Sequence, residues 1–495
     1  MLKRIISPAI PLQRLVSYGR HNSQGLILWK YNRACRRVST SSLATPGLLR
    51  RVQSDALKTP IALTYKDLEA FSDKLHASKS SEEQEKVLIQ SAEFLRQQVP
   101  IRLAHVLVAL QNLPYGANSA PSIKKVYDLY LESYESCSNF PEINTPELEK
   151  GFADLILTRL KEHLVVRNSL HNINKKYSWF TPHFSPFFFI IKKKLNDISF
   201  ENISFLLQIV PHICMGLLET AEQNPMIRIE ETPYLNDFVD RICHLRVSLR
   251  ILLGHHIQVR WSRTGVCKDT DVSAYVEEAA SDATIQCEKY FGEAPKVNIN
   301  DKRKQKHFIY IPEHLHHISY ELLKNSMRAV CETHPNDLKP IDIRRRGKEE
   351  RGKGSKKKKK VHKLNILFFF KKKKVIVDTP QTVTIKIADK GGGIPRADME
   401  KIWLYSYTTA VDPYGRTRKE LFELLKKEAQ QALNRDILMA LKNTPMFGLG
   451  YGLPVARLYA RYYGGDCEIF SVHGYGTDAY LHLNDLSKSK SPLIL

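Results

Sequence analysis

The chain carries the stretch His317-Ile-Ser-Tyr-Glu321-Leu-Leu-Lys-Asn325 near its middle, which places an imidazole, a carboxylate and an amide four residues apart. Positions i, i+4 and i+8 of an α-helix lie on nearly one stripe, so these side chains are predicted to face the same space. Apolar Ile318 and Leu322 between them indicate a neighbouring face that packs on a sheet. Such a stripe suits proton abstraction beside a hydrated divalent cation. By itself the stripe is more typical of an ordinary amphipathic helix. The choice between a catalytic and an ordinary helix therefore depends on the segments downstream.

A strand followed by glycines lies downstream, in Val383-Thr-Ile-Lys-Ile-Ala-Asp389-Lys-Gly391-Gly-Gly393. Apolar and polar residues alternate through the run, which predicts a strand with one buried face. The glycines allow the backbone to turn sharply and to approach a ligand closely. Asp389 would then accept a hydrogen bond from an exocyclic amine, although a lone aspartate before glycines more often caps a tight turn.

Alternate glycines occupy a second run, Met446-Phe-Gly448-Leu-Gly450-Tyr-Gly452-Leu453-Pro454, and a helical pattern follows it. The unpaired N–H groups and positive dipole end of such a helix N-terminus favour a phosphate. The run is neither a Walker A loop, which needs GxxxxGK[ST], nor a Rossmann loop after a strand. A flexible loop that caps a helix is the alternative interpretation.

In this order and spacing, the motifs resemble the GHKL ATPase superfamily. Within it the chain resembles the mitochondrial alpha-keto acid dehydrogenase kinases, that is, the pyruvate and branched-chain dehydrogenase kinases. The resemblance covers roughly residues 50–170, 208–343 and 375–485. Other segments that carry it are Val99-Pro-Ile-Arg102, Leu113-Pro114-Tyr-Gly, Tyr130-Leu-Glu-Ser-Tyr, Leu249-Arg250-Ile-Leu-Leu-Gly-His-His256, His314-Leu-His-His317, Tyr407-Thr408-Thr409-Ala410 and Gly474-Tyr-Gly476-Thr477-Asp478.

The resemblance implies a role for each matching residue. Glu321 would be the general base that takes the proton from a substrate serine, and His317 would orient or polarise it. Asn325 would hold the Mg²⁺ that bridges the phosphates of ATP, and Asp389 would read the adenine amino group. Arg328 is either a phosphate contact or a solvated helix arginine. The other nucleotide-binding residues implied are Gly391, Gly393, Thr408, Thr409, Gly448, Leu449, Gly450, Tyr451, Gly452, Leu453 and Thr477.

The positive charge of the chain is concentrated in a few blocks. The formal net charge is +23, a value that ordinarily suggests nucleic acid or an anionic membrane as partner. Residues 1–51 contain ten Lys and Arg and no acid, and residues 344–374 contain sixteen against two glutamates. A smaller basic block lies in residues 171–200, and the rest of the chain is mildly acidic. We therefore expect no nucleic-acid partner, and no run is long enough to form a transmembrane segment.

The basic leader of residues 1–51 is rich in Arg and Ser, which is typical of a mitochondrial transit peptide and predicts a matrix location. A disordered basic tail is the alternative. Two further blocks, about 172–207 and 344–374, contain runs of Phe and Lys and interrupt the family pattern. We interpret one or both as translated intron sequence, with genuine low-complexity loops as the alternative.

The predicted fold class is α+β with two domains. Residues 52–260 show helical periodicity and predict a four-helix-bundle-like domain. Residues 261–485 alternate strand and helix patterns and predict a GHKL (Bergerat-type) α/β sandwich that binds ATP. Within it, residues 411–446 are charged and helix-forming and are interpreted as an ATP lid, and residues 486–495 form a tail. The eight cysteines lack a CxxC pair, which argues for reduced, structural thiols.

Three functions stay open at this stage. The first is a protein-serine kinase acting on the decarboxylase subunit of a keto-acid dehydrogenase complex, preferably the pyruvate complex, with the branched-chain complex as the alternative. The resemblance adds a lipoyl-bearing acyltransferase subunit as docking partner and a homodimer as the assembly. The second is a histidine kinase using His244, which lacks the usual acidic neighbour and trailing proline. The third is a nucleotide-binding scaffold without activity. No tryptophan follows Trp403, so the family's carboxy-terminal Asp-Trp exchange is in question.

Overall fold

A computed structural model describes residues 45–162, 209–224, 233–300, 307–346, 382–405, 407–410 and 450–489, together with isolated positions between 415 and 423 and residue 492. The first half is helical and the second half is mixed. The predicted α+β class is therefore confirmed, although the division into domains stays a prediction.

The helices of the first half pack around one long central helix. They are α1 (Pro46–Ala56), α2 (Tyr65–Ala77), α3 (Ser81–Gln111), α4 (Pro121–Ser138), α5 (Pro146–Glu162), α6 (Ile209–Gln223) and α7 (Pro233–Ser262). The central helix α3 contacts α1, α2, α4, α5 and α7. Its carboxy-terminal half is buried on nearly every side, which is why its sequence there shows almost no polar face.

Helix starts in this half follow local chemistry. The Thr45 hydroxyl accepts the Leu48 N–H at the start of α1. Thr64 and Asp67 form a reciprocal capping box at the start of α2. Such caps satisfy backbone donors that the first turn leaves unpaired.

The second half contains a five-stranded sheet covered by three helices. Its strands are β2 (Val297–Asn300), β4 (Ile341–Arg346), β5 (Thr382–Ala388), β6 (Asp466–Val472) and β7 (Gly476–Asn484), in the order β2-β4-β5-β7-β6. Only β2 and β4 run parallel. The two short strands β1 (Lys268–Asp269) and β3 (Ile309–Tyr310) pair separately.

Helices α8 (Val272–Phe291), α9 (Pro312–Thr333) and α10 (Gly452–Tyr462) form the second layer. Helix α9 lies between α8 and α10 and contacts β5, while α10 contacts β6 and β7. The apolar residues Val383, Ile385 and Ile387 of β5 are buried, as their alternation predicts. This two-layer arrangement fixes α9 against the middle of the sheet.

Three of the predicted segment boundaries fall within the described residues and can be compared with the observed elements. Helix α1 begins at Pro46, inside the predicted leader, and buries Leu48 and Val52 against the core. Strand β4 extends to Arg346, so the first three residues of the predicted block 344–374 belong to the sheet, because they pair with β5. At the other end, Leu486 of the predicted tail is buried in the core.

Other predictions fall outside the described residues. These are the leader before residue 45, the block 172–207, residues 347–374 and nearly all of the lid 411–446. Across the described ranges, no helix combines the length and apolarity needed to cross a membrane. The cysteines of those ranges are all free thiols, and Cys287 and Cys331 lie with their Sγ atoms 3.5 Å apart.

Candidate functional site

Helix α9 presents the predicted polar stripe to the interior of the second half. It begins with Pro312 as its first residue, a position where the missing N–H costs nothing. Its side chains His317 and Glu321 are buried, and Asn325 is half-buried one turn further on. The helix therefore carries the stripe from the core to the wall of a cavity.

The Glu321 carboxylate is held on two sides. The Lys324 ammonium donates to it at 2.8 Å, within the same helix. On the other side lies Gly452, the first residue of α10, where an added Cβ would come within 2.2 Å of Glu321 Oε2. Only 2 % of Glu321 is exposed. The ion pair and the close approach of α10 restrict the orientation of this carboxylate, which suits a general base.

His317 is neutral at neutral pH. Burial lowers its pKa well below the usual value, and the nearby Lys324, His316 and His314 act in the same direction. A neutral imidazole can polarise a neighbour through a hydrogen bond but adds no positive charge to the site.

Asp389 directly follows β5, and its carboxylate accepts three hydrogen bonds. Its Oδ1 accepts the N–H groups of Gly391 at 2.9 Å and Thr477 at 3.2 Å, and its Oδ2 accepts the Ser326 hydroxyl at 2.8 Å. Burial raises the pKa of Asp389, and these three hydrogen bonds oppose the rise. The bonds fix the carboxylate against both α9 and β7.

The glycines after Asp389 are required by close packing. An added Cβ at Gly391 would lie 2.5 Å from the Ala329 side chain, and one at Gly393 would lie 2.1 Å from the Val472 carbonyl oxygen. Gly393 also has a φ of +70°, which favours glycine. The turn is thus clamped between α9 and the β6–β7 hairpin, which holds the end of β5 at the cavity.

A cavity of about 340 Å³ unites most of the predicted residues. This volume lies within the range of small-molecule sites. The predicted residues that line it are Glu321, Asn325, Arg328, Asp389, Gly391, Gly393, Thr408, Thr409, Gly450, Gly452, Leu453 and Thr477. They come from α9, the β5 turn, the loop after it, α10 and β7, so the tertiary fold brings distant motifs to one space.

Two described residues among those predicted, His317 and Tyr451, do not line the cavity. His317 is buried behind the wall in α9, and Tyr451 packs against the hydrophobic core at the start of α10. Gly448 and Leu449 lie outside the described residues.

The structure adds lining residues that the motifs did not single out. Lys324, Ser326 and Glu332 belong to α9, while Asp398 and Ile402 come from the segment after the β5 turn. The position of Lys324, three residues after Glu321, is a signal for helical ion pairing that the sequence contains. Asp398 and Ile402 have no such local signal.

Arg328 is held by its own helix. Its Nε lies 3.5 Å from a Glu332 carboxylate oxygen, one turn along α9. Burial lowers the pKa of Arg328, although an arginine stays charged at neutral pH. Arg328 is therefore a half-buried cation at the cavity wall, paired with a carboxylate of its own helix.

Two family models match the chain. Residues 62–277 match the model described as mitochondrial branched-chain alpha-ketoacid dehydrogenase kinase. Residues 310–486 match the model described as histidine kinase-, DNA gyrase B-, and HSP90-like ATPase. The second range contains every described residue that lines the cavity.

Curated relatives match most of the chain. A mitochondrial pyruvate dehydrogenase (acetyl-transferring) kinase of Arabidopsis thaliana is 31 % identical, over 83 % of this chain and 88 % of the relative. The kinase of Schizosaccharomyces pombe with the same description is 30 % identical, over 82 % and 91 %. Isozyme 4 of Rattus norvegicus is 28 % identical, over 91 % and 87 %.

Proposed function

The chain belongs to the mitochondrial pyruvate dehydrogenase kinase family, and on that premise we propose that it phosphorylates a serine of the decarboxylase subunit of the pyruvate dehydrogenase complex and so inactivates it. The observation that carries the proposal is the single cavity that joins Glu321, Asn325 and Asp389. A base, a metal ligand and an adenine acceptor are the parts that phosphoryl transfer to a hydroxyl needs.

Each part of the cavity has a distinct task in this proposal. Asp389 accepts a hydrogen bond from the adenine amino group. The N-terminus of α10 and Arg328 face the phosphates. Glu321 takes the proton of the serine hydroxyl while the serine oxygen bonds to the γ-phosphorus of ATP. The bond between that phosphorus and the β–γ bridging oxygen breaks, and ADP leaves. Lys324 and Gly452 keep the carboxylate aimed during this step.

We propose that Mg²⁺ accompanies ATP and that Asn325 holds it. Within the described residues, no cluster of three or more His, Cys, Asp or Glu side chains could form a metal cage. That fits Mg²⁺, which usually takes one or two protein oxygens and is otherwise bound by phosphates and water. Asn325 lines the cavity and can offer an amide oxygen. Bound Mg²⁺ supplies neutralisation of phosphate charge.

The choice of complex rests on the relatives. The curated kinases above are named for pyruvate dehydrogenase, whereas the first matching model is named for the branched-chain enzyme. We therefore keep the branched-chain alpha-keto acid dehydrogenase complex as the alternative substrate. In either complex we propose that the helical half docks on the lipoyl-bearing acyltransferase subunit. The proposed location is the mitochondrion and, more finely, its matrix.

A homodimer is also proposed. The β6–β7 hairpin exposes Phe470, Val472 and Tyr475, of which 44 %, 64 % and 63 % are accessible. Adjacent exposed apolar side chains of this kind are a common feature of protein interfaces. Sedimentation of the purified chain would give its mass in solution, and a monomer would contradict the dimer.

The deciding experiment is transfer of radiolabelled γ-phosphate from ATP to purified pyruvate and branched-chain decarboxylase complexes, offered separately. Acid-stable label on the decarboxylase subunit of the pyruvate complex is expected. The same label on the branched-chain complex alone would establish the alternative substrate. Acid-labile label on the chain itself would indicate a histidine kinase, and no label with intact ATP binding would indicate a scaffold.

A further inference from the structure

The segment that forms one wall of the ATP cavity is fastened to the helical half of the molecule. Ile402, Tyr407, Thr408 and Thr409 line the cavity. Between them, the backbone N–H of Tyr405 donates to Asn236 Oδ1 at 2.8 Å, and the Tyr405 hydroxyl donates to Asp240 Oδ1 at 2.6 Å. Both acceptors belong to α7, which contributes no residue to the cavity lining.

The two acceptors act as a pair because of helical geometry. Asn236 and Asp240 are four residues apart, so they lie on one face of α7. Tyr405 is only 1 % exposed, and Asn236 is buried as well. One residue of the wall therefore has both its backbone and its side chain held by the same helix face. This defines its position more tightly than either hydrogen bond would alone.

The Tyr405 hydroxyl also stabilises the charged form of the Asp240 carboxylate. Burial raises the pKa of Asp240, and the hydrogen bond from Tyr405 opposes that rise. Without the phenol, a largely buried carboxylate would lose a donor, and such a loss is costly. This hydrogen bond therefore stabilises both the Asp240 carboxylate and the position of the Tyr405 ring.

A second contact holds the same segment to α10. The Arg457 guanidinium lies 4.2 Å from the centre of the Trp403 ring. Within the segment itself, the backbone bonds are short-range, from Leu404 to Lys401 and from Tyr407 to Leu404. Regular structure in the described part of this segment is limited to the 3₁₀ turn Lys401–Trp403, so the contacts with α7 and α10 help to set the position of Thr408 and Thr409.

We infer that Asn236 and Asp240 of α7 are positioning residues for nucleotide binding, which act through Tyr405 on the Thr408–Thr409 wall. This inference rests on the proposed ATP site but assigns part of its affinity to the helical half, from which no motif pointed to nucleotide. It predicts that ATP affinity depends on a hydrogen bond outside the cavity.

The test compares two tyrosines with the same chemistry. Tyr405→Phe removes only the donor to Asp240. In the full-length chain, we expect the Kd of ATP, measured by calorimetry, to rise about tenfold, the scale of one hydrogen bond to a charged group. The kcat at saturating ATP should stay within about two-fold, because Glu321 is untouched.

Tyr134→Phe is the matched control. The buried Tyr134 hydroxyl donates to Asp55 Oδ2, also at 2.6 Å, between α4 and α1. It should lower the Tm about as much as Tyr405→Phe does while leaving the Kd of ATP unchanged. Equal Kd values for both variants and the wild type would show that the Tyr405 bond is merely structural and would overturn the inference.

Changes at Asp240 test the other end of the same bond. Asp240→Asn keeps an acceptor and should retain near wild-type ATP affinity, whereas Asp240→Ala should weaken it. The double variant Tyr405→Phe/Asp240→Ala should bind ATP no worse than the weaker single variant, because both remove one interaction. Additive losses would contradict the inference. A wild-type chain that bound no ATP would overturn the proposed function too, whereas unaffected binding in these variants overturns this inference alone.

Discussion

At the residue scale, the carboxylates of the cavity differ in the groups that they contact. Glu321 is paired with Lys324, Glu332 lies near Arg328, and Asp389 accepts hydrogen bonds from uncharged donors. Because the partners differ, substitutions that remove a single charge should affect separate steps. The predictions at this scale compare these carboxylates directly.

Glu321→Gln should abolish transfer while ATP binding stays nearly intact. The base acts on the serine hydroxyl, so we expect a fall in kcat of at least about 100-fold, the usual contribution of general-base catalysis. The Kd of ATP should change less than about two-fold. Glu278→Gln, at an exposed carboxylate of α8 that does not line the cavity, is the control and should keep most of the activity. Loss of ATP binding in Glu321→Gln would count against the assignment of the base.

Asp389→Asn should weaken ATP binding first. The amide keeps one oxygen for the N–H groups of Gly391 and Thr477 but places an NH₂ group where the adenine amine would donate. Inosine triphosphate, which carries a carbonyl at that position, should lose less affinity than ATP. Calorimetry with both nucleotides measures the ratio. An unchanged preference for ATP would refute the adenine role.

At the element scale, the site depends on where α9 and α10 meet. Helix α10 begins at Gly452, directly against the Glu321 carboxylate of α9. Gly452 thus has a steric role beside the proposed base. This contact places the N-terminus of α10 directly against Glu321.

Gly452→Ala tests that contact. The added methyl group would lie 2.2 Å from Glu321 Oε2, so the carboxylate must move and kcat should fall. Intrinsic helix propensity favours alanine over glycine by about 1 kcal/mol, so the loss should not come from an unstable helix. Gly47→Ala is the control, because its Cβ would meet no atom within 4 Å. An unchanged kcat in Gly452→Ala, measured beside Tm, would contradict the steric role.

At the scale of the whole molecule, buried imidazoles couple stability to pH. Burial lowers the pKa of His255 and of His314 to about 3, and that of His317 also lies well below the usual value. These groups stay neutral in the folded chain but bind protons in the unfolded chain below its ordinary pKa. The free energy of unfolding should therefore decrease as pH falls from about 6.5 towards the folded pKa values.

Denaturant unfolding between pH 7.5 and 5 measures this effect. Each buried histidine adds a slope of up to about 1.4 kcal/mol per pH unit below its unfolded pKa. His255→Gln should flatten the curve, since it removes one such group. Gly47→Ala, which removes no titratable group, should leave the slope unchanged. A stability that rises on acidification would contradict the prediction.

Local sequence patterns predicted the parts of the site that depend on short-range interactions, namely a helix face and a turn. The helical stripe of His317, Glu321 and Asn325 follows from a period of 3.6 residues, and the turn at Asp389 follows from strand alternation ended by glycines. These patterns are short-range, so they predicted α9 and β5 correctly. The resemblance of the chain to the kinase family was confirmed as well. The roles of the individual site residues stay predictions.

What only the tertiary structure decided is which distant groups meet. Ser326 reaches Asp389 across 63 positions, and Tyr405 reaches Asp240 across 165. No local pattern encodes such pairs, because they form only when hydrophobic burial packs distant elements together. Polar groups that become buried in this way are then stabilised by hydrogen bonds to one another. The sequence by itself therefore determined the helix, the turn and the family. The packing decided that Gly452 lies against the proposed base and that a helix outside the cavity holds one of its walls.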